Sequence, residues 1–177
     1  RSPVPVWGVI EPGARRAAAR SRGRVGVVGT ESTIRSDAYG AALRRLRPEL
    51  AVASEACPLF VPLVEEGWLD DPVTEQIASR YLAPLVARGI DTLVLGCTHY
   101  PLLTPLLARL LGPGVGLVDS GEAVAEQLAE DLGRAGLLAS GRRHADHFLV
   151  TDAAERFGRL AAEILGNPVS LELVELV

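Results

Sequence analysis

The length, composition and charge of the chain restrict its class before any motif is considered. It has 177 residues, of which 48% are hydrophobic and 23% charged, a balance typical of a soluble globular protein with a sizeable core. The formal charge of −4 offers no basic surface to a phosphate backbone, so we expect no nucleic-acid partner. No stretch approaches the roughly 18 apolar residues of a membrane span, so we expect no membrane partner and a cytoplasmic protein with two free thiols.

Short apolar runs alternate along the chain with segments of helical period. This alternation predicts βαβ units around a mostly parallel sheet, and therefore an α/β fold with helices on the sheet. The runs short enough to be buried strands are residues 25–28, 50–53, 92–95, 115–118 and 147–150.

Helices are predicted between and after these strands. We expect Ser36 to cap the first, Ser120 to cap another, and Asp152 with Glu155 to form a capping box for the last. The apolar stripes are Tyr39, Leu43 and Leu46; Ile77, Tyr81, Leu82 and Leu85; Leu103, Leu106, Leu107 and Leu110; Val124, Leu128 and Leu132; and Phe157, Leu160, Ala161 and Ile164.

A cluster of reactive side chains follows the predicted strand 92–95. Cys97, Thr98 and His99 stand between this strand and a helix, and open α/β sheets bind ligands at the carboxyl ends of their strands. A cysteine near a helix start, with an imidazole two residues on, can hold more thiolate at neutral pH than a free thiol. Cys97 could then act as a base or a nucleophile, although most cytosolic cysteines are simply small buried residues.

A zinc site is a further interpretation of the same cluster. Its four ligands would be Cys97, His99, His144 and His147. We disfavour it because Cys-x-His is not a usual spacing for a zinc site.

A hydroxyl-rich turn follows the predicted strand 25–28. Its N–H groups and the hydroxyls of Thr30 and Thr33 could bind a carboxylate, with the dipole of the following helix helping. The alternative is that these hydroxyls only satisfy turn and cap hydrogen bonds. Glycines are too few here for a dinucleotide fingerprint or a P-loop, so nucleotide binding has no motif support.

An apolar, proline-interrupted segment, residues 56–67, contains two carboxylates near its end. One of them, Glu65 or Glu66, could pair with a histidine and hold it protonated, although such a pair before glycine is more often a solvated helix end. Cys57 precedes a proline in the apolar run, so we expect it to pack in the core.

Residues 96–101, Gly-Cys-Thr-His-Tyr-Pro, resemble the second active-site motif of glutamate racemases, within the aspartate/glutamate racemase superfamily. Other segments that resemble this family are residues 8–14, 29–34, 57–65, 118–120 and 150–157. Aspartate-type members usually carry glutamate after the Cys-Thr pair, so His99 favours glutamate as the substrate.

The resemblance implies a two-domain α/β protein with its active site between the domains and one cysteine from each. By that analogy Cys97 takes the α-proton from L-glutamate, and returns a proton when the reaction runs from the D isomer, with His99 assisting and Glu65 orienting or charge-balancing His99. The residues implied to bind the substrate are Thr98, His99, Thr30 and Thr33. Neither pyridoxal phosphate nor a metal is implied; the resemblance also implies a homodimer that supplies D-glutamate for peptidoglycan.

The family's N-terminal part, with an Asp-Ser-Gly segment and a Cys-Asn-Thr motif, has no counterpart in this sequence. The chain also begins with Arg1 and contains no methionine, so we expect a truncated racemase that lacks one of its two bases and is inactive alone. The domains expected are a linker at residues 1–7, a complete α/β domain bearing the second cysteine at 8–118, and part of another, incomplete α/β domain at 119–177.

Three alternatives to a glutamate racemase stay open. The first is a racemase of aspartate or another acidic amino acid, and the second is an inactive chain that only binds a ligand or a partner. The third is a cysteine hydrolase using Cys97 and His99, which we disfavour because residues two apart on a strand share a face but seldom pair as nucleophile and base.

Overall fold

The computed structural model describes residues 4–141 and 146–175. Its contacts divide the chain into two compact units, Arg1–Leu137 and Leu138–Val177. The elements of the first unit are α1 (Ile10–Arg20), β1 (Arg24–Gly29), α2 (Glu31–Ser36), α3 (Ala38–Leu46), β2 (Ala51–Ala56), α4 (Phe60–Glu65), α5 (Pro72–Ala87), β3 (Thr92–Leu95), a 3₁₀ turn (Tyr100–Leu103), α6 (Thr104–Leu111), β4 (Gly116–Asp119) and α7 (Ser120–Arg134). Those of the second are β5 (Phe148–Val150), α8 (Ala154–Leu165) and β6 (Leu171–Leu173).

The first unit is built on a four-stranded parallel sheet with the order β2-β1-β3-β4. All four residues of β3 are buried, as are the last five of β1, because helices cover these central strands. The predicted α/β fold with a parallel sheet is confirmed. In register, Val28 lies beside Leu95, and Leu95 beside Asp119, so the carboxyl ends of three strands meet at one edge.

A hydrophobic core lies between the sheet and helices α1 and α3. Val25 and Val27 of β1 and Val94 of β3 point into it, since side chains alternate between the faces of a strand. Helix α1 contributes small side chains, including Ala14 and Ala17, both fully buried. A face of alanines lets α1 pack closely, and this helix was not predicted because alanine gives only a weak apolar stripe.

Two of the three predicted helix caps were wrong, and the third differs by one position. Ser36 was predicted to cap the helix that carries Tyr39, which is α3: Asp37 stands directly before that helix without a capping side-chain bond, and the Ser36 hydroxyl accepts from the N–H of Ala38 at 3.4 Å. Helix α7 is capped by Asp119 rather than Ser120, since the Asp119 carboxylate accepts from the N–H of Gly121 at 2.7 Å. The capping box of α8 does not form, because Ala153 takes a left-handed conformation before the helix and no side chain caps it.

The predicted domain boundary after residue 118 differs from the observed division of contacts after Leu137. Helix α7 begins directly after β4 and packs against α1, which places it in the first unit. The second unit pairs β5 with β6 in parallel. Along α8, Ala161 is buried, whereas Phe157 and Ile164 of the predicted stripe are 46% and 55% exposed.

Across the described ranges, no helix is long and apolar enough to cross a membrane.

Candidate active site

The turns that follow β1 and β3 lie against each other at the carboxyl edge of the sheet. The N–H of Gly96 donates to the carbonyl of Val28 at 2.8 Å, which joins the end of β3 to the end of β1. A Cβ at residue 96 would lie 2.9 Å from that carbonyl oxygen, 3.1 Å from the ring of Tyr39 and 3.4 Å from the methyl group of Thr33. A glycine is therefore needed where the chain enters the Cys97 turn.

Cys97, His99 and Glu65 form a row that begins in this turn. The Sγ of Cys97 lies 3.9 Å from Nδ1 of His99, and the opposite ring nitrogen, Nε2, lies 3.4 Å from Oε1 of Glu65. All three side chains are partly buried, so they are shielded but remain accessible to a small ligand. The row is the arrangement of a reactive thiol beside an imidazole that is itself oriented by a carboxylate.

The pairing of Cys97 with His99 corrects one argument made from the sequence. The two residues were not expected to pair, because residues two apart on a strand seldom pair as nucleophile and base. Strand β3 ends at Leu95, and residues 97–99 form a turn that carries the imidazole back to the sulfur. The turn thus brings the thiol and the imidazole into contact.

Thr98 extends the same turn on its solvent side. Its side chain is exposed, and its Oγ1 lies 3.5 Å from Nδ1 of His99. The hydroxyl is therefore available to a ligand that reaches Cys97 from solvent.

A buried aromatic group fixes the helix that carries Glu65. Phe60 of α4 makes edge-to-face contacts with Tyr100 and Tyr81, at ring-centroid distances of 5.1 Å and 5.4 Å. The hydroxyl of Tyr100, which follows His99 directly, donates to the carbonyl of Cys57 at 2.8 Å. These contacts hold the start of α4 beside the Cys97 turn, and Glu65, at the other end of this short helix, reaches His99.

The second cysteine, Cys57, is fully buried before α4. Burial raises the pKa of its thiol, with a smaller contribution from the Glu55 carboxylate, so the thiol stays protonated at neutral pH. Cys57 is a packing residue, as the sequence indicated.

The hydroxyl turn after β1 serves its own helix and also faces the site. Thr30 accepts a hydrogen bond from the N–H of Thr33 at 3.3 Å, and the two hydroxyl oxygens are 3.1 Å apart. Thr33 also lines an open depression of about 290 Å³ that reaches Gly96. Capping and ligand contact are therefore compatible for Thr33, which lies beside Gly96 at the entry of the Cys97 turn.

The sequence as a whole matches a family model described as Asp/Glu/hydantoin racemase over residues 1–157. The chain belongs to this racemase family. It is 52% identical over 166 residues to the glutamate racemase of Geobacter metallireducens, covering 93% of this chain and 62% of that protein. It is also 52% identical over 178 residues to the glutamate racemase of Syntrophus aciditrophicus, with coverages of 99% and 66%.

Solved racemase structures carry the same fold. The glutamate racemase isoform RacE1 of Bacillus anthracis superposes with a TM-score of 0.92 at 39% identity, covering 99% of this chain and 66% of that one. The glutamate racemase of Francisella tularensis in complex with D-glutamate has a TM-score of 0.89 at 31% identity, with coverages of 98% and 65%. This racemase-family chain therefore spans a little under two thirds of the length of its relatives.

The zinc alternative has no support in the described part of this racemase-family chain. Among residues 4–141 and 146–175, no group of three or more His, Cys, Asp or Glu side chains is arranged to hold a metal ion. His144, one of the four ligands considered, lies outside the described residues, and His147 belongs to the second unit.

Proposed function

We propose that this chain carries one half of the active site of a glutamate racemase, with Cys97 as the base that exchanges the α-proton of glutamate. The observation that carries the proposal is the row of Cys97, His99 and Glu65 at the carboxyl edge of the sheet. The relatives at 52% identity are glutamate racemases, which supports glutamate over aspartate.

The reaction needs a base that can both remove and return a proton near neutral pH. In the proposed cycle the Cys97 thiolate takes the α-proton of L-glutamate, the electron pair of the broken C–H bond stays on the α-carbon, and the second group, in its protonated form, gives a proton to the opposite face and becomes a base. In the reverse direction the Cys97 thiol gives its proton to the carbanion. His99 assists both steps, and Glu65 holds the His99 imidazole in place.

The second base cannot be Cys57. Its sulfur is fully buried, and burial keeps the thiol protonated. We therefore infer that the second base lies outside these 177 residues, in a part of the relatives that this chain does not match. On this proposal the chain alone exchanges the α-proton of L-glutamate without inverting it.

The remaining parts of the proposal follow from the family. Thr98, beside His99, and the pair Thr30 and Thr33, beside Gly96, would hold the polar groups of the substrate. We propose that the whole protein is a cytoplasmic homodimer of two-domain subunits that supplies D-glutamate for peptidoglycan, without pyridoxal phosphate or a metal.

The test is the incorporation of solvent deuterium at the α-carbon, followed by proton NMR in D₂O. The folded chain is incubated with L-glutamate, D-glutamate and L-aspartate, beside a Cys97→Ser variant and a Cys57→Ala control that removes the other thiol. We expect exchange of L-glutamate that is lost in Cys97→Ser and kept in Cys57→Ala.

Two results would contradict the proposal. Exchange that survives in Cys97→Ser would show that Cys97 is not the base, and no exchange of glutamate by the folded chain would show that these residues do not form a working half of the site. Faster exchange of L-aspartate than of L-glutamate would instead assign the alternative specificity.

A further inference from the structure

A buried hydroxyl chain lies beneath the Cys97 turn and plays no part in the function proposed above. The hydroxyl of Tyr39, in α3, donates to Oγ of Ser120 at 2.8 Å. Ser120, the first residue of α7, donates in turn to the carbonyl of Leu95 at 3.5 Å. Leu95 is the last residue of β3, two positions before Cys97, so this series of hydrogen bonds ends at the start of the Cys97 turn.

Both hydroxyl side chains are enclosed. Tyr39 is 4% exposed and Ser120 is 5% exposed. A Cβ at Gly13 of α1 would lie 2.6 Å from the Ser120 hydroxyl, and a Cβ at Gly96 would lie 3.1 Å from the Tyr39 ring. Because residues 13 and 96 have no Cβ, the Ser120 hydroxyl packs directly against α1 and the Tyr39 ring packs directly against the turn.

The Tyr39 hydroxyl remains a donor at every pH at which the protein would work. Burial raises its pKa, the hydrogen bond to Ser120 opposes that effect, and the Asp119 carboxylate and a Cys97 thiolate add smaller increases. The Leu95 carbonyl can only accept, so Ser120 donates to it, and the neutral Tyr39 phenol donates to Ser120.

We propose that Tyr39 is a positioning residue for Cys97: through Ser120 it fixes the Leu95 carbonyl, and with its ring it supports Gly96, so that the turn presents the Cys97 sulfur to His99. The inference rests on the proposed function in taking Cys97 as the reacting base. Tyr39 contacts the backbone that enters the turn rather than the reacting atoms, and its effect is therefore on the geometry of Cys97.

The first experiment measures this geometry without a substrate. The chain and its Tyr39→Phe variant are treated with iodoacetamide between pH 6 and 9, and the alkylation of Cys97 is followed by peptide mass spectrometry. Because the reactive thiolate depends on the nearby imidazole, we expect the rate at pH 7 to fall about threefold or more in Tyr39→Phe. Thermal unfolding measured in parallel shows whether each variant is folded.

The matched control is Ser79→Ala, which removes an exposed hydroxyl from α5 and should leave the alkylation rate unchanged. Ser120→Ala removes the middle hydroxyl of the series and should lower the alkylation rate as much as Tyr39→Phe does. The double variant should react no more slowly than either single variant, because the effects of substitutions within one hydrogen-bond network do not add. If Tyr39→Phe does not fold, Ser120→Ala carries the test alone.

The second experiment measures the exchange of L-glutamate. We expect kcat to fall about tenfold in Tyr39→Phe with KM within a factor of about two, because misplacing a reacting group lowers turnover more than binding. An unchanged or faster alkylation of Cys97, in a folded variant, would overturn the positioning role. Loss of exchange in the unaltered chain would overturn the proposed function instead, and the alkylation result would still stand.

Discussion

The Nε2 atom of His99 lies 3.4 Å from Oε1 of Glu65, and these side chains are 22% and 29% exposed. Glu65 ends α4, whereas His99 lies in the turn after β3, so the pair joins two elements far apart in sequence. The ring nitrogen facing Glu65 is the one that does not face Cys97. The carboxylate therefore contacts the imidazole without competing for the sulfur, which is the position that the third member of a nucleophile and base system takes.

We predict that Glu65→Gln lowers the rate of α-proton exchange of glutamate at least about tenfold, because the imidazole loses its anionic partner while the shape of the side chain is kept. KM should change little, since Glu65 is placed behind His99. The matched control is Glu66→Gln, which removes the same charge from the neighbouring, exposed position and should leave the rate within a factor of about two. Equal losses in the two variants would contradict the assignment of Glu65. The measurement is deuterium incorporation at saturating and limiting substrate.

We predict that the two cysteines differ sharply in reactivity. Iodoacetamide at pH 7.5 should modify Cys97 in the folded chain and leave Cys57 unmodified, because Cys57 is fully buried and its pKa is raised. After unfolding in guanidinium, both should react at similar rates. Peptide mass spectrometry gives the two extents separately. Modification of Cys57 before unfolding would contradict its burial.

Much of the fold could be predicted from local patterns. The run at residues 92–95 is apolar after Thr92, as is typical of a central parallel strand, and it forms β3 with the predicted bounds. Capping residues were harder to predict, because the residue that caps a helix depends on where the preceding strand ends and how the backbone turns into the helix. At the start of α7, Asp119 precedes Ser120 and reaches the N–H of Gly121 first. Sequence alone offers two adequate capping residues there and no means to choose.

The candidate site was also predictable in part from a local pattern. A reactive cluster directly after a buried strand marks a ligand-binding edge, and this placed Cys97, Thr98 and His99 correctly at the edge of the sheet. The residues alone suggested that Glu65 or Glu66 could pair with a histidine, and only the family resemblance named Glu65 and His99 as the pair, since nothing local links the two. The bond between Tyr39 and Ser120 had no signal at all, because it depends on the packing of α3 against the start of α7.

We predict that Gly96→Ala destabilises the fold by about 2 kcal/mol and abolishes exchange, because its Cβ would lie 2.9 Å from the backbone oxygen of Val28 and the turn has to shift. The control is Gly114→Ala, at a position where a Cβ would meet no atom within 4 Å. That variant should be as stable as the unaltered chain and should keep its exchange rate. Urea unfolding measures the stability of each variant, and deuterium incorporation into glutamate measures its exchange rate. A stable Gly96→Ala chain with full exchange would show that the turn tolerates a side chain.

The Asp91 carboxylate, at the start of β3, is the hub of a hydrogen-bond group at the opposite edge of the sheet. It accepts from the hydroxyl of Ser21 at 2.7 Å, the hydroxyl of Thr92 at 2.8 Å and the N–H groups of Arg24 at 3.0 Å and Arg22 at 3.1 Å. Burial by itself would raise the pKa of Asp91, but these four hydrogen bonds outweigh it and lower the pKa below its usual value. The ionised carboxylate thus ties α1 to the starts of β1 and β3.

We predict that Asp91→Asn lowers the free energy of unfolding by about 2 kcal/mol at pH 7, because an amide cannot accept from all four donors. The folded pKa lies below the unfolded value of about 4, so the carboxylate stabilises the fold fully above pH 4 and loses this effect as the pH falls through the folded pKa. The difference between the variant and the unaltered chain should therefore be constant from pH 7 to 5 and shrink below pH 4. Asp70→Asn, which removes an 81% exposed carboxylate paired with Arg109, should cost less than about 0.5 kcal/mol at any pH. Urea unfolding at a series of pH values measures both variants, and a difference that grows as the pH falls would contradict the role assigned to Asp91.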